Sequence, residues 1–489
     1  MTSQSPLASL EPRPVWELFD ALRRIPRPSG DEARVVRWLE EWAAARGWSV
    51  RHDAFGNRVV SVPASPGRER APRVVLQGHL DMVCEKNSDT THDFSTQGIE
   101  VRVDDGWVRA EGTTLGADNG LGVALAMAAA DDAETPHGPL ELLMTLDEER
   151  GLRGASAFDG SLLEGRLMIN LDTEEDDAVY IGCAGAGGLE AVLPLARASA
   201  AATDRSPWRL QVRGLRGGHS GMEIHDGRGN ALVLAARLLV AALEQGVDFD
   251  LVAFDGGDKA NAIPRECSVA LRLDDAARTA LEQVLEVQRP ELVAQLGAAD
   301  PGLELVLEPG DDERAPLTPG SRASWLRLLD AGHHGVVAMS QDIPGLVETS
   351  CNLAVARTDA AEARVLFACR SSSNPALDGL LQSLGSLARL AGAEARRHGG
   401  YPGWAPNPES PLVARTVAAY ERLFGVAPAV TAIHAGLECG VLAQKVPGLD
   451  AVSIGPTIRG PHSPDEMAEI ASVAKIWRWL RAVLDDLSS

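Results

Sequence analysis

Aromatic residues are scarce, only 4% of the chain, so aliphatic side chains and alanine must fill most of any core. Cysteine is scarce too. Cys84, Cys183, Cys267, Cys351, Cys369 and Cys439 are dispersed without a CxxC pair, which excludes a disulfide scaffold and is expected of reduced, buried thiols. No stretch approaches eighteen uncharged apolar residues, and the opening MTSQSPLASLEPRP lacks a basic region followed by an apolar run. A soluble, cytoplasmic protein is therefore expected. Positive charge is the other shortage: 46 Lys and Arg face 69 Asp and Glu, a net charge of −23. Such a surface repels phosphate backbones and anionic membranes, so neither nucleic acid nor membrane is expected as a partner. An excess of carboxylates suits a site that concentrates cations, although it also simply keeps a protein soluble.

What remains is ordinary globular composition, 45% hydrophobic and 24% charged over 489 residues, enough for about three domain-sized units or two large ones. Ser29-Gly-Asp-Glu32 reads as a capping box before Val35, Val36, Leu39 and Trp42, whose spacing is helical. Beyond it, apolar strands RVVLQ (73–77), LELLMTL (140–146) and RLMINL alternate with a Gly-interrupted helix at 121–130. Continuous apolar strands separated by helices predict an α/β domain, a mixed sheet with helices on both faces. The tail repeats the pattern, with a short strand AVSI (451–454) and a helix expected from the Ser463-Pro464-Asp465-Glu466 cap to about 485. Between them, WRLQVRGL, CSVALRL, LELVL and NLAVAR interleave with helices at 229–245 and 276–297, which predicts an inserted α+β domain with antiparallel strands. The Gly-rich CAGAGG (183–188) and HGGYPGW (398–404) mark its borders. The expected division is 1–186 with 401–489, and an insert of 187–400.

Chemistry-bearing residues recur at one kind of place. His79 and Asp81 follow RVVLQ, Asp118 opens the Gly-rich helix, Glu148 and Glu149 follow LELLMTL, and Asp172 follows RLMINL. In open α/β sheets ligands bind outside the carboxyl ends of the strands, so these residues should converge on one edge. A histidine with several carboxylates and no cysteine suits zinc, manganese or cobalt in a hydrolytic site. Clustered carboxylates repel one another unless cations compensate them, which points to two divalent ions. A second histidine must come from afar, and His462, just after AVSI in GPHSPDE, is the one best placed. His52, His92, His137 and His398 read as solvated or capping residues, and the adjacent His333 and His334 as a turn. Each motif alone is weak: an HxD tripeptide is commonly a strand end, and a DEE run a solvated face.

Taken in order, QGHLDMV (77–83), TLGADNGLG (114–122), TLDEERGLRGA (145–155), INLDTEE (169–175), RGGHSGMEI (216–224), NAIPR (261–265), AIHAGLECG (432–440) and GPTIRGPHSPDE (455–466) resemble a known family. The resemblance is to the bacterial aminoacyl-histidine dipeptidases, or cytosol non-specific dipeptidases. These belong to the co-catalytic di-metal peptidases related to aminoacylases and glutamate carboxypeptidases. It implies that Asp118 bridges two metal ions, with His79 and Asp172 completing one site and Glu149 and His462 the other. Glu148 would be the general base, and Asp81 would orient His79. In the insert, which the resemblance makes a lid, His219 would polarise the scissile carbonyl, while Asn261 and Arg370 would hold the substrate, Arg370 by its terminal carboxylate. His434 and Glu438 would fall near the site in roles left open.

The implied activity is hydrolysis of dipeptides with a free C-terminal carboxylate, Xaa-His included, by a water bridging two zinc ions. An amidohydrolase acting on acylated amino acids is the enzymatic alternative, and a peptide-binding protein without turnover is the rival of another class. The intact Glu148 and the matched ligands count against the latter. Simple dimeric relatives take the lid histidine from a partner subunit, but an insert of this length could present His219 within its own chain. Monomer and homodimer both stay open.

Overall fold

A computed structural model describes residues 5–198 and 205–489. The chain divides into two units, 1–183 with 404–432 and 437–489, and 184–403 with 433–436. The first is built on a mixed sheet in the order Ser49–His52, Arg58–Val62, Leu140–Thr145, Val74–His79, Leu167–Asn170, Asp450–Ser453, Ala178–Cys183 and Ala429–Ile433. Its central strands run parallel, pairing His79 with Thr145, Gln77 with Asn170 and Ser453 with Asn170, while the flanking strands are antiparallel. Every residue of Val74–His79, Leu140–Thr145 and Ala178–Cys183 is buried, which requires helices on both faces.

The helix Ala117–Asp131 is apolar nearly all round because it is buried nearly all round. Its glycines let it approach the sheet closely: a Cβ on Gly122 would lie 2.1 Å from the Leu171 carbonyl oxygen. The last helix, Ile470–Ser488, is amphipathic and buries Trp479, whose indole donates to the Thr416 carbonyl at 2.9 Å.

Two expected helix starts are corrected. The final helix begins at Ile470 rather than at Ser463, because Met467–Glu469 first pairs as a strand with Trp107–Ala110. The helix Ala33–Ala44 is present, but the capping box before it is not formed: Ser29 Oγ donates to Asp81, and Glu32 accepts from the Gly30 and Asp147 amides. His137 also differs from expectation. It is buried, with Nδ1 2.7 Å from the Gly138 carbonyl.

The second unit is an antiparallel sheet of Glu304–Pro309, Ser206–Arg213, Cys267–Leu273, Asp250–Gly256, Val347–Thr358, Glu362–Ser371, Gly185–Pro194 and Glu394–Tyr401. Gly335–Met339 adds an edge strand on Val347–Thr358. Burial alternates along Glu362–Ser371 and Cys267–Leu273, so one sheet face packs against the helices Ala231–Glu244, Asp275–Leu296, Pro319–Ala331 and Asn374–Leu390. Leucine and alanine dominate that core, as the shortage of aromatics requires. The six cysteines are unpaired. No helix among the described residues is long and apolar enough to cross a membrane.

Candidate metal centre

Parallel pairing brings the chemistry of the first unit to one edge. His79 ends its strand, Glu148 and Glu149 follow Thr145, and Asp172 follows Asn170, all beyond the carboxyl ends of adjacent parallel strands. Asp118 sits in the first turn of the helix Ala117–Asp131, and His462 in the loop between Ile458–Arg459 and Met467–Glu469.

The two oxygens of Asp118 face different histidines. Oδ1 lies 3.1 Å from His79 Nε2, and Oδ2 lies 3.1 Å from His462 Nε2. His79 Nε2 is also 3.4 Å from Asp172 Oδ1 and 4.0 Å from Glu148 Oε2, and His462 Nε2 is 3.0 Å from Glu149 Oε2. Two trios share Asp118, His79 with Asp118 and Asp172, and Asp118 with Glu149 and His462, each with donor atoms within 4.8 Å of one another; His79 with Glu148 and Glu149, and Glu32 with Asp81 and Asp147, are as close. On its other nitrogen His79 lies 3.2 Å from the Asp81 carbonyl and 3.4 Å from Asp81 Oδ1. Asp81 in turn accepts from Ser29 Oγ and from the Glu148 and Glu149 amides, so one carboxylate fixes the imidazole and the Glu148–Glu149 turn together.

The second unit gathers its own group. His219 Nδ1 accepts from the Gly221 and Met222 amides at 3.3 and 3.1 Å, which leaves the proton on Nε2. A Cβ on Gly221 would lie 2.4 Å from the His434 carbonyl oxygen, 3.1 Å from His219 Cε1 and 3.2 Å from Arg370 Nε, so it is the His434 backbone that requires glycine where these side chains gather. Arg370 Nη1 reaches Tyr401 Oη at 3.4 Å. His434 Nε2 is 2.7 Å from Ser350 Oγ, and Ser350 pairs with Arg370 across the strands. Burial and the neighbouring Arg370 push the His434 imidazole down to about 3, so it is neutral at pH 7. Asn261 is exposed beside the short ribbon pairing His219 with Ala262, and its carbonyl accepts from the Ser220 amide at 2.8 Å.

Residues 75–486 match the peptidase family M20/M25/M40. The chain is 40% identical over 483 residues, 99% of both proteins, to the cytosol non-specific dipeptidase of Escherichia coli K12. This chain belongs to that family. It is a metal-dependent peptidase, a hydrolase acting on peptide bonds. Its fold superposes on aminoacylhistidine dipeptidase from Vibrio alginolyticus with a TM-score of 0.90 and 38% identity, covering 99% of this chain and 98% of the other. Aminopeptidase PepT from Bacillus cereus, at 15% identity and a TM-score of 0.57 over 98% of this chain and all of that one, shares the fold.

The peptidase's acidic edge is short of positive charge. Burial raises the Glu148 carboxyl well above its ordinary range, with Asp172, Glu149 and Glu438 pushing the same way against His79. Burial also raises Asp172 to about 6, Glu438 to about 7 and Glu174 to about 8. In Asp118 and Asp81 burial is outweighed: bonds from His462 and His79 hold Asp118 well below the usual range, and His79, Ser29 and the Glu148 amide bring Asp81 to about 2. Hydrogen bonds to Asp118 and Glu149 raise His462 to about 11. Glu149 Oε1 is buried without a hydrogen-bond donor, and a donor set of imidazole and carboxylate fits two hard-to-borderline divalent ions.

Two residues around this edge take roles that the sequence left open or did not mark. Glu438 lies beneath it, accepting from Gln77 Nε2 at 2.5 Å and Thr145 Oγ1 at 2.6 Å, while Gln77 accepts from Asn170. Arg27, fully buried, donates to the carbonyls of Leu80, Asp81 and Gly116.

Proposed function

We propose that this peptidase hydrolyses dipeptides with a free C-terminal carboxylate, Xaa-His among them, in the cytoplasm. The observation that carries the reading is the pair of trios sharing Asp118. His79 and Asp172 would hold one ion, Glu149 and His462 the other, and Asp118 both. Zinc suits the donors, with manganese or cobalt as alternatives. When bound, such ions lower the pKa of a water and polarise a carbonyl.

The residues of the chain do the rest. Glu148 takes the proton of the attacking water and returns it to the leaving amine, a task suited to a buried carboxyl beside the two trios whose affinity for a proton burial raises. Asp81 keeps His79 Nε2 turned toward Asp118. In the second unit, which acts as a lid, His219 donates from Nε2 to the carbonyl oxygen as negative charge develops there. Asn261 contributes to holding the substrate backbone, and Arg370 pairs with the terminal carboxylate through a charge-assisted bond. Because that clamp measures length, one residue fits on the leaving side.

The experiment compares unblocked dipeptides with their C-terminal amides after incubation with zinc or manganese. Amides should lose transition-state stabilisation because Arg370 is left without a charged partner, and Arg370→Met should narrow the gap between acid and amide. A wild type that cleaves the amide as fast as the acid, or a Met variant with full discrimination, would remove Arg370 from this role. Preference for an acylated over a free amino terminus would instead favour an amidohydrolase.

A further inference from the structure

Glu466 follows His462 in a segment whose local pattern reads as a helix cap, yet its side chain does not cap the helix Ile470–Ser488 that follows it in the chain. The strands Ile458–Arg459 and Met467–Glu469 form a hairpin, pairing Ile458 with Ala468 and Arg459 with Met467, and residues 460–466 are its loop. Within the loop Ser463 Oγ donates to the Gly460 carbonyl at 2.8 Å and the Glu466 amide to the Ser463 carbonyl at 3.0 Å. His462 and Glu466 therefore belong to one hydrogen-bonded hairpin loop.

The loop touches the Asp118 segment twice. His462 Nε2 meets the Asp118 carboxylate at 3.1 Å. Glu466, only 2% exposed, takes the backbone: Oε2 accepts from the Leu115 and Gly116 amides at 2.7 and 3.0 Å, and Oε1 from those of Ala117 and Asp118 at 2.8 and 3.3 Å. Gly116, at φ +69°, gives the backbone the left-handed turn at which these amides face one carboxylate. From the carbonyl side Arg27 holds the same Gly116, at 2.5 Å. The segment carrying Asp118 is thus gripped on both sides.

We infer that Glu466 is a positioning residue for the metal centre, holding the bridging Asp118 in register with His462 so that the second trio forms. The inference rests on the proposed ligand assignment. Charge-assisted bonds to successive amides fix the segment's height against the hairpin loop, and removing the acceptor leaves buried N–H groups that must turn elsewhere. Groups that orient metal ligands in this way typically account for roughly 10–100-fold in metal affinity.

The test counts bound zinc on full-length protein dialysed against buffers of graded free zinc, beside the thermal midpoint of each variant. Glu466→Gln has the same size but presents an amide nitrogen to two of the donors, and Glu466→Ala removes the acceptor altogether. The expected result is one ion bound at the wild-type midpoint and the other shifted about 10–100-fold higher in free zinc, as in His462→Ala. Activity of Glu466→Gln should return at high zinc with an unchanged KM for the dipeptide. Both ions binding at wild-type midpoints in the Glu466 variants, while His462→Ala loses one, would overturn the inference alone. Both ions weakening equally along with the thermal midpoint would make Glu466 a general strut and overturn it as well. Should His462→Ala fill both sites normally, the ligand assignment falls and the inference with it. If Glu466→Ala does not fold, the Gln variant decides.

Discussion

Replacing Glu148 with Gln should lower kcat by about 10²–10⁴ while two metal ions stay bound. The substitution keeps the shape of the side chain and the backbone bond from the Glu148 amide to Asp81 Oδ1 at 3.1 Å, so the turn carrying Glu149 is undisturbed. What is lost is the proton acceptor. Glu148 belongs to neither trio around Asp118, although it also stands close to His79 and Glu149, so on the proposed ligand assignment metal content should not change. Steady-state rates on a dipeptide, paired with metal analysis of the same preparation, check both halves. A variant with near-normal kcat would take the general-base role from Glu148, and one that lost an ion would make it a ligand.

Asp118→Ala should abolish activity by the opposite route, through loss of metal. Each Asp118 oxygen lies 3.1 Å from a different histidine, so its removal opens both trios at once and deletes the charge they share. Metal analysis after dialysis should find neither ion retained at concentrations that saturate the wild type. Two tightly held ions in this variant would remove the bridging role, whatever the activity.

Much of this edge was legible before the structure, because parallel strands put successive strand ends side by side and the sequence marks each end with a polar residue after an apolar run. His79, Glu148, Glu149 and Asp172 carry that mark, and the alternation of strands and helices placed them together. Where local pattern and distant partner compete, the sequence misleads. Glu32 and Glu466 each stand where a helix-capping glutamate would, but their carboxylates are claimed by the amides of Asp147 and of residues 115–118, across 115 and about 350 positions of sequence. Arg27 could not have been singled out, since nothing in RIPRPSG distinguishes a buried guanidinium from a solvated one. Glu438 was noticed only by resemblance, and its bonds to Gln77 and Thr145 exist because the helix Glu438–Lys445 meets strands distant in sequence. Sheet order is a further non-local property: strand Leu140–Thr145 lies between Arg58–Val62 and Val74–His79, and no local pattern states it.

The shared-carboxylate centre is tested most directly by anomalous scattering from crystals of the zinc-loaded protein, recorded on both sides of the zinc edge. The account predicts two peaks about 3.5–4 Å apart, the spacing of two-metal hydrolytic sites, with Asp118 between them, His79 and Asp172 on one and Glu149 and His462 on the other. A single peak, or two peaks that do not share Asp118, would contradict it.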